Sequence, residues 1–320
     1  MKNIAILGTG RHGSRYAGHI ARDIKGMTLA GIWRRSTEGR AQAQRWSTTF
    51  CPDWRELIVS SGVDAVVGVV PPVLNPAIAA ACACAGKPLL LEKPLARNVG
   101  EARAIVTSLA TAGVPLTVGQ TLRYNPVIGE LRRQLPEMGR LYGFAVNQRL
   151  EPSTLDWHDD RDTAGAGVLF HTAVHVFDAM RLITGLKVRR VMAQGRLVHA
   201  AALEDQVLVI AELENGVIGT VDVSKVGRAR TGRYEFVGAD GQLHGEQIHA
   251  FTEVIRGNVV QSRREFAPIP TVLQLLRDWL KFLEGDGDNP VTGEEGLYAV
   301  QVCEACLVSL QEGGRWVKVQ

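Results

Sequence analysis

In the first 120 or so residues, apolar positions fall into short continuous runs, NIAILG, MTLAGIW, DAVVGVV, PLLLE and PLTVGQ. Between them lie segments with helical spacing: RHGSRYAGHIARDI, STEGRAQAQRW, VLNPAIAAACACAG and NVGEARAIVTSLATAG. Continuous Val, Ile, Leu and Ala suit strands buried on both faces, and strands alternating with helices imply a doubly wound parallel sheet. After about Tyr124 the pattern changes. LYGFAVNQRL, QVLVIAEL, GVIGTVDVS and RYEFVGADGQLHGE alternate apolar with polar residues, and turns such as ENG and ADG separate them. That pattern predicts a large, mostly antiparallel open sheet with one face covered. GVLFHTAVHVFDAMRLITG predicts a long helix stopping at Gly185, and TVLQLLRDWLKFLEG and LYAVQVCEACLVSLQEGG predict two more. The expected fold is α/β with two domains, 1-121 and 122-320, and a C-terminal helix at about 293-313 able to pack back on the first.

Composition narrows the class. At 320 residues, 46% hydrophobic and 22% charged with a net charge of +3, the chain has globular proportions. No basic run is interleaved with aromatics, so nucleic acid is not an expected partner. The N-terminal apolar run is too short for a signal peptide, and no uninterrupted apolar segment approaches the roughly 20 residues of a membrane span. The expectation is a cytoplasmic protein without a membrane partner. Cys303 and Cys306 form a CxxC pair that reads as a redox or half-metal site or as two buried thiols. With no second CxxC or CxH beside it, the buried reading is preferred.

Gly8-Thr9-Gly10-Arg11-His12-Gly13 is GxGxxG, placed directly after the first strand and opening the first helix. There the glycines permit a tight turn and close approach of a pyrophosphate to backbone N–H groups at the positive helix end. This marks the first domain as a Rossmann dinucleotide site. About 20 residues on, where an NAD site places a carboxylate, stand Arg34, Arg35 and Ser36. Two guanidiniums and a hydroxyl suit a 2′-phosphate, so NADP is the expected cofactor, with NAD the alternative and solvated arginines the bland reading.

Further motifs follow in a fixed order: Val69 to Pro76 (VVPPVLNP), Glu92-Lys93-Pro94-Leu95-Ala96, Arg123-Tyr124-Asn125-Pro126, Gly165 to Asp178, and Pro290 to Glu295 (PVTGEE). Together they resemble the Gfo/Idh/MocA superfamily of oxidoreductases, across nearly the whole chain. The resemblance implies a Rossmann domain followed by an α/β domain whose open sheet serves oligomerisation, as a dimer or tetramer, and an active site between the domains. It implies catalytic roles for Lys93 and His175, and cofactor contacts from Pro71, Asn75 and Glu92 besides the glycine turn. It also implies substrate contacts from Arg123, Tyr124 and Asn125.

The residues speak for part of this on their own. Lys93 stands at the carboxyl end of a parallel strand, where open α/β sheets place ligands, and a fixed ammonium there stabilises a developing alkoxide. A surface ammonium is the alternative. His175 suits proton exchange with a hydroxyl near neutral pH. The chain departs from the family pattern at His171, where Asp is common, and at Ala173, where Gly is usual. On a regular helix His171, His175 and Asp178 share one face, so Asp178 can orient an imidazole and His171 stands as a third catalytic candidate or a buried structural histidine. HTAVH also raises a shared cation, but it lacks the adjacent Glu of HExxH, and no metal is expected. In the loop STLDWHDDRDTAG, Trp157 can stack on a sugar face and Arg161 can bind a polar group, unless the loop is simply exposed. The reading is an NAD(P)-dependent dehydrogenase acting on a secondary alcohol or ketone of a sugar, cyclitol or similar small molecule. Two alternatives remain open: a non-catalytic nucleotide sensor, and a lyase or hydrolase using the cofactor without net redox change.

Overall fold

The computed structural model describes all of residues 1–320. In chain order the elements are β1 (Lys2–Leu7), α1 (Gly13–Arg22), β2 (Met27–Trp33), α2 (Glu38–Arg45), β3 (Thr49–Phe50), α3 (Trp54–Val59), β4 (Ala65–Gly68), α4 (Asn75–Ala85), β5 (Leu89–Leu91), α5 (Val99–Thr111) and β6 (Leu116–Val118). Then come α6 (Pro126–Gln134), β7 (Leu141–Arg149), α7 (Arg161–Ala164), α8 (Val174–Thr184), β8 (Val188–Arg196), β9 (Gln206–Leu213) and β10 (Ile218–Ser224). The chain closes with β11 (Thr231–Gly238), β12 (Gly241–Glu246), β13 (Phe251–Arg256), β14 (Val259–Glu265), α9 (Thr271–Glu284), α10 (Gly293–Gln311) and β15 (Val317–Lys318).

The chain forms two compact units, Met1–Thr121 with Pro270–Leu297, and Leu122–Ile269 with Tyr298–Gln320. This differs from the expected two-segment division, because α9 and the start of α10 belong with the first unit. The cause is apolar surface. Leu275, Leu276 and Trp279 of α9 are fully buried, and a Cβ on Gly26, after α1, would stand 3.1 Å from the Leu280 side chain.

The first unit holds a six-stranded sheet in the order β3-β2-β1-β4-β5-β6, parallel throughout. Its strands read as continuous apolar runs because both faces are covered: Ile4, Ala5, Ile6, Val66, Val67, Leu89, Leu90 and Leu91 have no exposed surface. Strand order reverses between β1 and β4, the switch point where such sheets bind ligands beyond their carboxyl ends. The short edge strand β3 was not predicted, two residues being too few to carry a periodicity.

The second unit holds a nine-stranded sheet, β14-β13-β12-β11-β7-β10-β9-β8-β15. Every neighbouring pair is antiparallel except β10 with β7. Alternation sorts its faces. Phe144, Val146, Val209, Val221, Tyr234, Phe236 and Leu243 are buried, whereas Leu208 and Ile210 of β9 and Ile218 of β10 point the other way and are exposed. The inner face receives α6, whose entry is fixed by Pro126 at its first turn and by the Asn125 side chain accepting from Val127 N at 2.9 Å. Gly245 lets α6 close on β12, since a Cβ there would lie 2.7 Å from Leu131. The helical stretch Arg161–Thr184 is long and apolar enough to cross a membrane by composition, but 83% of its window is buried inside the protein, a core position.

The assignment of α9 to the dinucleotide-binding unit is testable. Replacing Trp279 with Ala should lower the unfolding free energy in urea titration by about 3–5 kcal/mol, the usual cost of emptying a buried aromatic site. A loss below 1 kcal/mol would mean that α9 does not complete a core.

Candidate active site

The turn after β1 is built for close approach. Gly8 has φ +93°, and a Cβ there would lie 2.2 Å from the Val69 carbonyl oxygen. A Cβ on Gly13 would meet the Gly8 carbonyl oxygen at 1.8 Å, whereas one on Gly10 meets nothing within 4 Å. Two glycines are thus demanded by packing, and the third leaves open space over the turn. The helix behind it starts without a side-chain cap and without an acidic residue in its first turn, so its first backbone N–H groups are not taken by a side chain of its own. The turn is pinned from behind: the Thr9 carbonyl accepts from Ser14 Oγ, Gln42 Nε2 and Arg34 Nη1, each at 3.0 Å. These features fit a dinucleotide pyrophosphate. Arg34 also pairs with Glu38, while Arg11, Arg35 and Ser36 are exposed.

Beyond β5 the chain is buried from Leu89 to Ala96 at every residue except Lys93, which is partly exposed. Burial pulls the Lys93 ammonium below the ordinary lysine value, and the neighbouring Glu92 carboxylate opposes that fall. Glu92 is itself buried, with Oε1 receiving the Tyr16 hydroxyl at 2.5 Å and lying 2.8 Å from His12 Nε2. Its Oε2 accepts from Lys93 N at 3.1 Å. Burial alone would push the Glu92 carboxyl up, but His12, Lys93 and Tyr16 together hold it below the usual value. Asn75 is fully buried and donates to the Pro94 and Leu95 carbonyls at 3.3 and 3.0 Å, so it fixes the turn that follows Lys93. Pro71 is partly exposed just ahead of the Pro72–Leu74 turn.

In the second unit the predicted helix begins with a π-helical turn, Leu169–Ala173, before α8. This corrects the regular-helix spacing: a π turn adds a residue, so His171 and His175 do not keep the alignment of an α-helix. From Ala166 to Met180 every residue is buried except His175. The Asp178 carboxylate takes both arms of Arg123, Nε at 2.8 Å and Nη2 at 2.6 Å, in a pair almost sealed from solvent. Asn125, besides capping α6, donates to the Gln247 carbonyl at 3.1 Å, and Tyr124 is partly exposed in the preceding turn.

His171 is buried, and its ring stacks on His158 with centroids 3.9 Å apart. Trp157 stands edge-on to both rings, and Ser153 Oγ lies 2.7 Å from His158 Nδ1. The loop is therefore packed around aromatic rings, with Arg161 exposed after it. Its far end is anchored by Asp159, whose carboxylate accepts from Ala201, Ala202 and Leu203 N. A cavity of about 380 Å³ opens here, lined among others by Asp156, His158, His171, Glu204 and Lys225. Burial raises the Glu204 carboxyl above its ordinary value. Sequence reasoning missed Glu204, which reaches the cavity from the β8–β9 connection and carries no motif, and missed the roles of Tyr16 and Gln42. No group of three or more His, Cys, Asp and Glu is arranged to hold a metal ion. Cys303 and Cys306 are buried on α10 with their thiols pushed far up by burial, so neither is a nucleophile.

A Rossmann unit with an open glycine turn, a lysine at a strand end and a second unit presenting a histidine defines a dinucleotide-dependent class of protein. Comparison with known proteins agrees. Residues 2–120 match the oxidoreductase family with an NAD-binding Rossmann fold, and residues 137–244 match the GFO/IDH/MocA C-terminal domain. The chain belongs to the Gfo/Idh/MocA oxidoreductase family. It is 26% identical over 257 residues to scyllo-inositol 2-dehydrogenase (NAD(+)) of Bacillus subtilis (strain 168), covering 75% of this chain and 72% of that protein. It is 25% identical to D-apiose dehydrogenase of Paraburkholderia graminis, covering 97% and 88% of the two chains. Among solved structures, levoglucosan dehydrogenase in complex with NADH has the same fold, with a TM-score of 0.88 at 21% identity over 100% of this chain and 99% of that one.

The Arg123–Asp178 pair gives a stability prediction. Arg123→Ala leaves a buried carboxylate without its bidentate cation and should cost about 3–5 kcal/mol in chemical denaturation. Arg123→Lys, which offers a single point charge in place of the fork, should recover only part of that loss.

Proposed function

We propose that this protein is an NADP(H)-preferring dehydrogenase or reductase that interconverts a secondary alcohol and its ketone on a sugar, cyclitol or similar polyhydroxylated small molecule. The observation that carries the proposal is the paired exposure of Lys93 and His175, each the single partly exposed residue in an otherwise buried stretch of its own unit. The nicotinamide, when bound, supplies or accepts the hydride. Lys93 holds positive charge on the substrate oxygen as it gains alkoxide character, and His175 takes the hydroxyl proton in oxidation or returns it in reduction. His171, which lines the cavity, donates to a substrate hydroxyl, Trp157 stacks on a sugar face, and Arg161 binds a hydroxyl or carboxylate. Arg123 and Asn125 act on the substrate indirectly, by fixing α8 and the start of α6, with Tyr124 beside them. The inositol and apiose dehydrogenases among the relatives support a polyhydroxylated substrate.

For the 2′-phosphate, the proposal places Arg35 and Ser36 at the contact, with Arg34 as the anchored cation behind them. The exposure of the first two and the absence of an acidic residue at 33–36 support this. The relatives whose names or structures specify a dinucleotide use NAD(H), so the preference is a departure to be measured. We also infer a homo-oligomer in which a second copy covers the outer face of the nine-stranded sheet, where Leu208, Ile210, Ile218 and Val237 are 55, 39, 49 and 40% exposed.

Titration by nicotinamide fluorescence should give tighter binding of NADPH than of NADH, and Arg35→Ala should weaken NADPH about tenfold without affecting NADH. Equal affinities would remove the NADP preference; no binding of either would remove the oxidoreductase reading. Lys93→Ala should lower kcat about a hundredfold or more while NADPH binding persists. Because burial makes the Lys93 ammonium give up its proton more readily than an ordinary lysine, activity should fall on the alkaline side at a lower pH than an ordinary lysine would set, read from a pH–rate profile. Ile210→Arg should shift the mass measured by light scattering toward the monomer, and an unchanged mass would place the interface elsewhere.

A further inference from the structure

The Glu92 carboxylate gathers contacts from three places in the first unit: the glycine turn through His12, helix α1 through Tyr16, and its own strand end through Lys93 N. Tyr16 is fully buried, and burial with the neighbouring Glu92 charge raises its hydroxyl well above the ordinary tyrosine value, so it remains a neutral donor. His12 differs in kind. Its side chain is 41% exposed while that of Glu92 is 7% exposed, so the imidazole can exchange its proton with solvent and still grip a buried anion. It also precedes α1 directly, within the turn whose open space above Gly10 suits a pyrophosphate.

We propose that His12 is a protonation-coupled element of the dinucleotide site: held by Glu92, its imidazolium supplies a cation to the glycine turn, and dinucleotide binding draws a proton onto it. The inference rests on the dinucleotide-binding reading above. The charged and titratable groups around His12 are Glu92 beyond the end of β5, which itself faces Lys93, Tyr16 from α1, whose ring meets it edge-on at 5.6 Å, its chain neighbours Arg11 and Arg15, and Arg34, bonded to the carbonyl of Thr9 in the same turn. With His12 neutral, the buried charge of Glu92 stands beside the incoming pyrophosphate without a cation directly bonded to it from the turn. With His12 protonated, the imidazolium offsets that charge at hydrogen-bond distance. The ligand's charge then favours the protonated form, and by linkage affinity falls as pH rises through the titration of His12.

The test is NADPH binding to the wild-type protein and His12→Gln from pH 6 to pH 9. Glutamine keeps a donor toward Glu92 but cannot carry charge, and the ratio of the two affinities cancels the titration of the ligand's own phosphate. The expected ratio favours wild type by about three- to tenfold at pH 6 and falls to about one at pH 9. A ratio that does not change with pH, whatever its value, would overturn the proposal, because a packing role has no reason to follow a proton. A second measurement holds if the variant fails to fold. The protonation of His12, followed by NMR in the wild-type protein across the same pH range, should increase when NADPH binds; no change on binding overturns the inference. Wild-type protein that binds neither NADPH nor NADH would instead defeat the functional reading on which the inference rests.

Discussion

An ionised carboxylate placed in a protein interior costs several kcal/mol unless its lone pairs are filled, and Glu92 sits in that position at the carboxyl end of β5. Everything that satisfies it is part of the dinucleotide end of the first unit. The Tyr16 hydroxyl fixes α1, His12 fixes the glycine turn, and Lys93 N fixes the first residue beyond Glu92. One buried charge therefore couples the pyrophosphate cradle to the residue proposed to stabilise the substrate oxygen. Gly119 shows how closely the charge is enclosed, since a Cβ there would stand 2.9 Å from the Glu92 carboxyl.

The second unit solves the corresponding problem at Asp178. A bidentate guanidinium is the strongest partner available for a buried carboxylate, and Arg123 brings it from the turn ahead of α6 to the middle of α8. The pair fixes one side of the helix that carries His175. The π turn at Leu169–Ala173 acts on the other side, widening the helix where His171 stacks on His158. Two imidazoles and an indole then brace a loop whose residues 152–156 and 160–162 are exposed, and the Asp159 carboxylate closes it against the backbone of 201–203.

Much of this was legible in the chain because the signals are local. Continuous apolar runs gave the parallel strands, alternation gave the antiparallel ones, and Gly185 ended α8 as its left-handed cap, with φ 71°. The glycine turn could be read for the same reason, each glycine answering to a contact within one supersecondary unit. What escaped was non-local. Tyr16 looks like an ordinary core aromatic until β5 brings Glu92 beneath it, 76 residues away. Glu204 reaches its cavity through a strand connection with no motif, and Asp178 is claimed by an arginine 55 positions earlier, which no helical periodicity reveals. The π turn was hidden as well, because an inserted residue leaves apolar spacing almost unaltered while turning the polar positions.

The same distinction bears on cofactor choice. A carboxylate at the end of β2 would be a local signal, and its absence is read directly from Arg34-Arg35-Ser36. Yet Arg34 is drawn into two structural contacts, with the Thr9 carbonyl and with Glu38, that only the fold discloses. An arginine committed to the loop's own carbonyl has less freedom to follow a phosphate, but it is preorganised and adds positive charge without further ordering cost. Arg35 is exposed and enters neither contact. Under the proposed NADP preference the pair would divide anion recognition between a fixed cation and a mobile one, so that charge at position 34 and reach at position 35 would be separable properties.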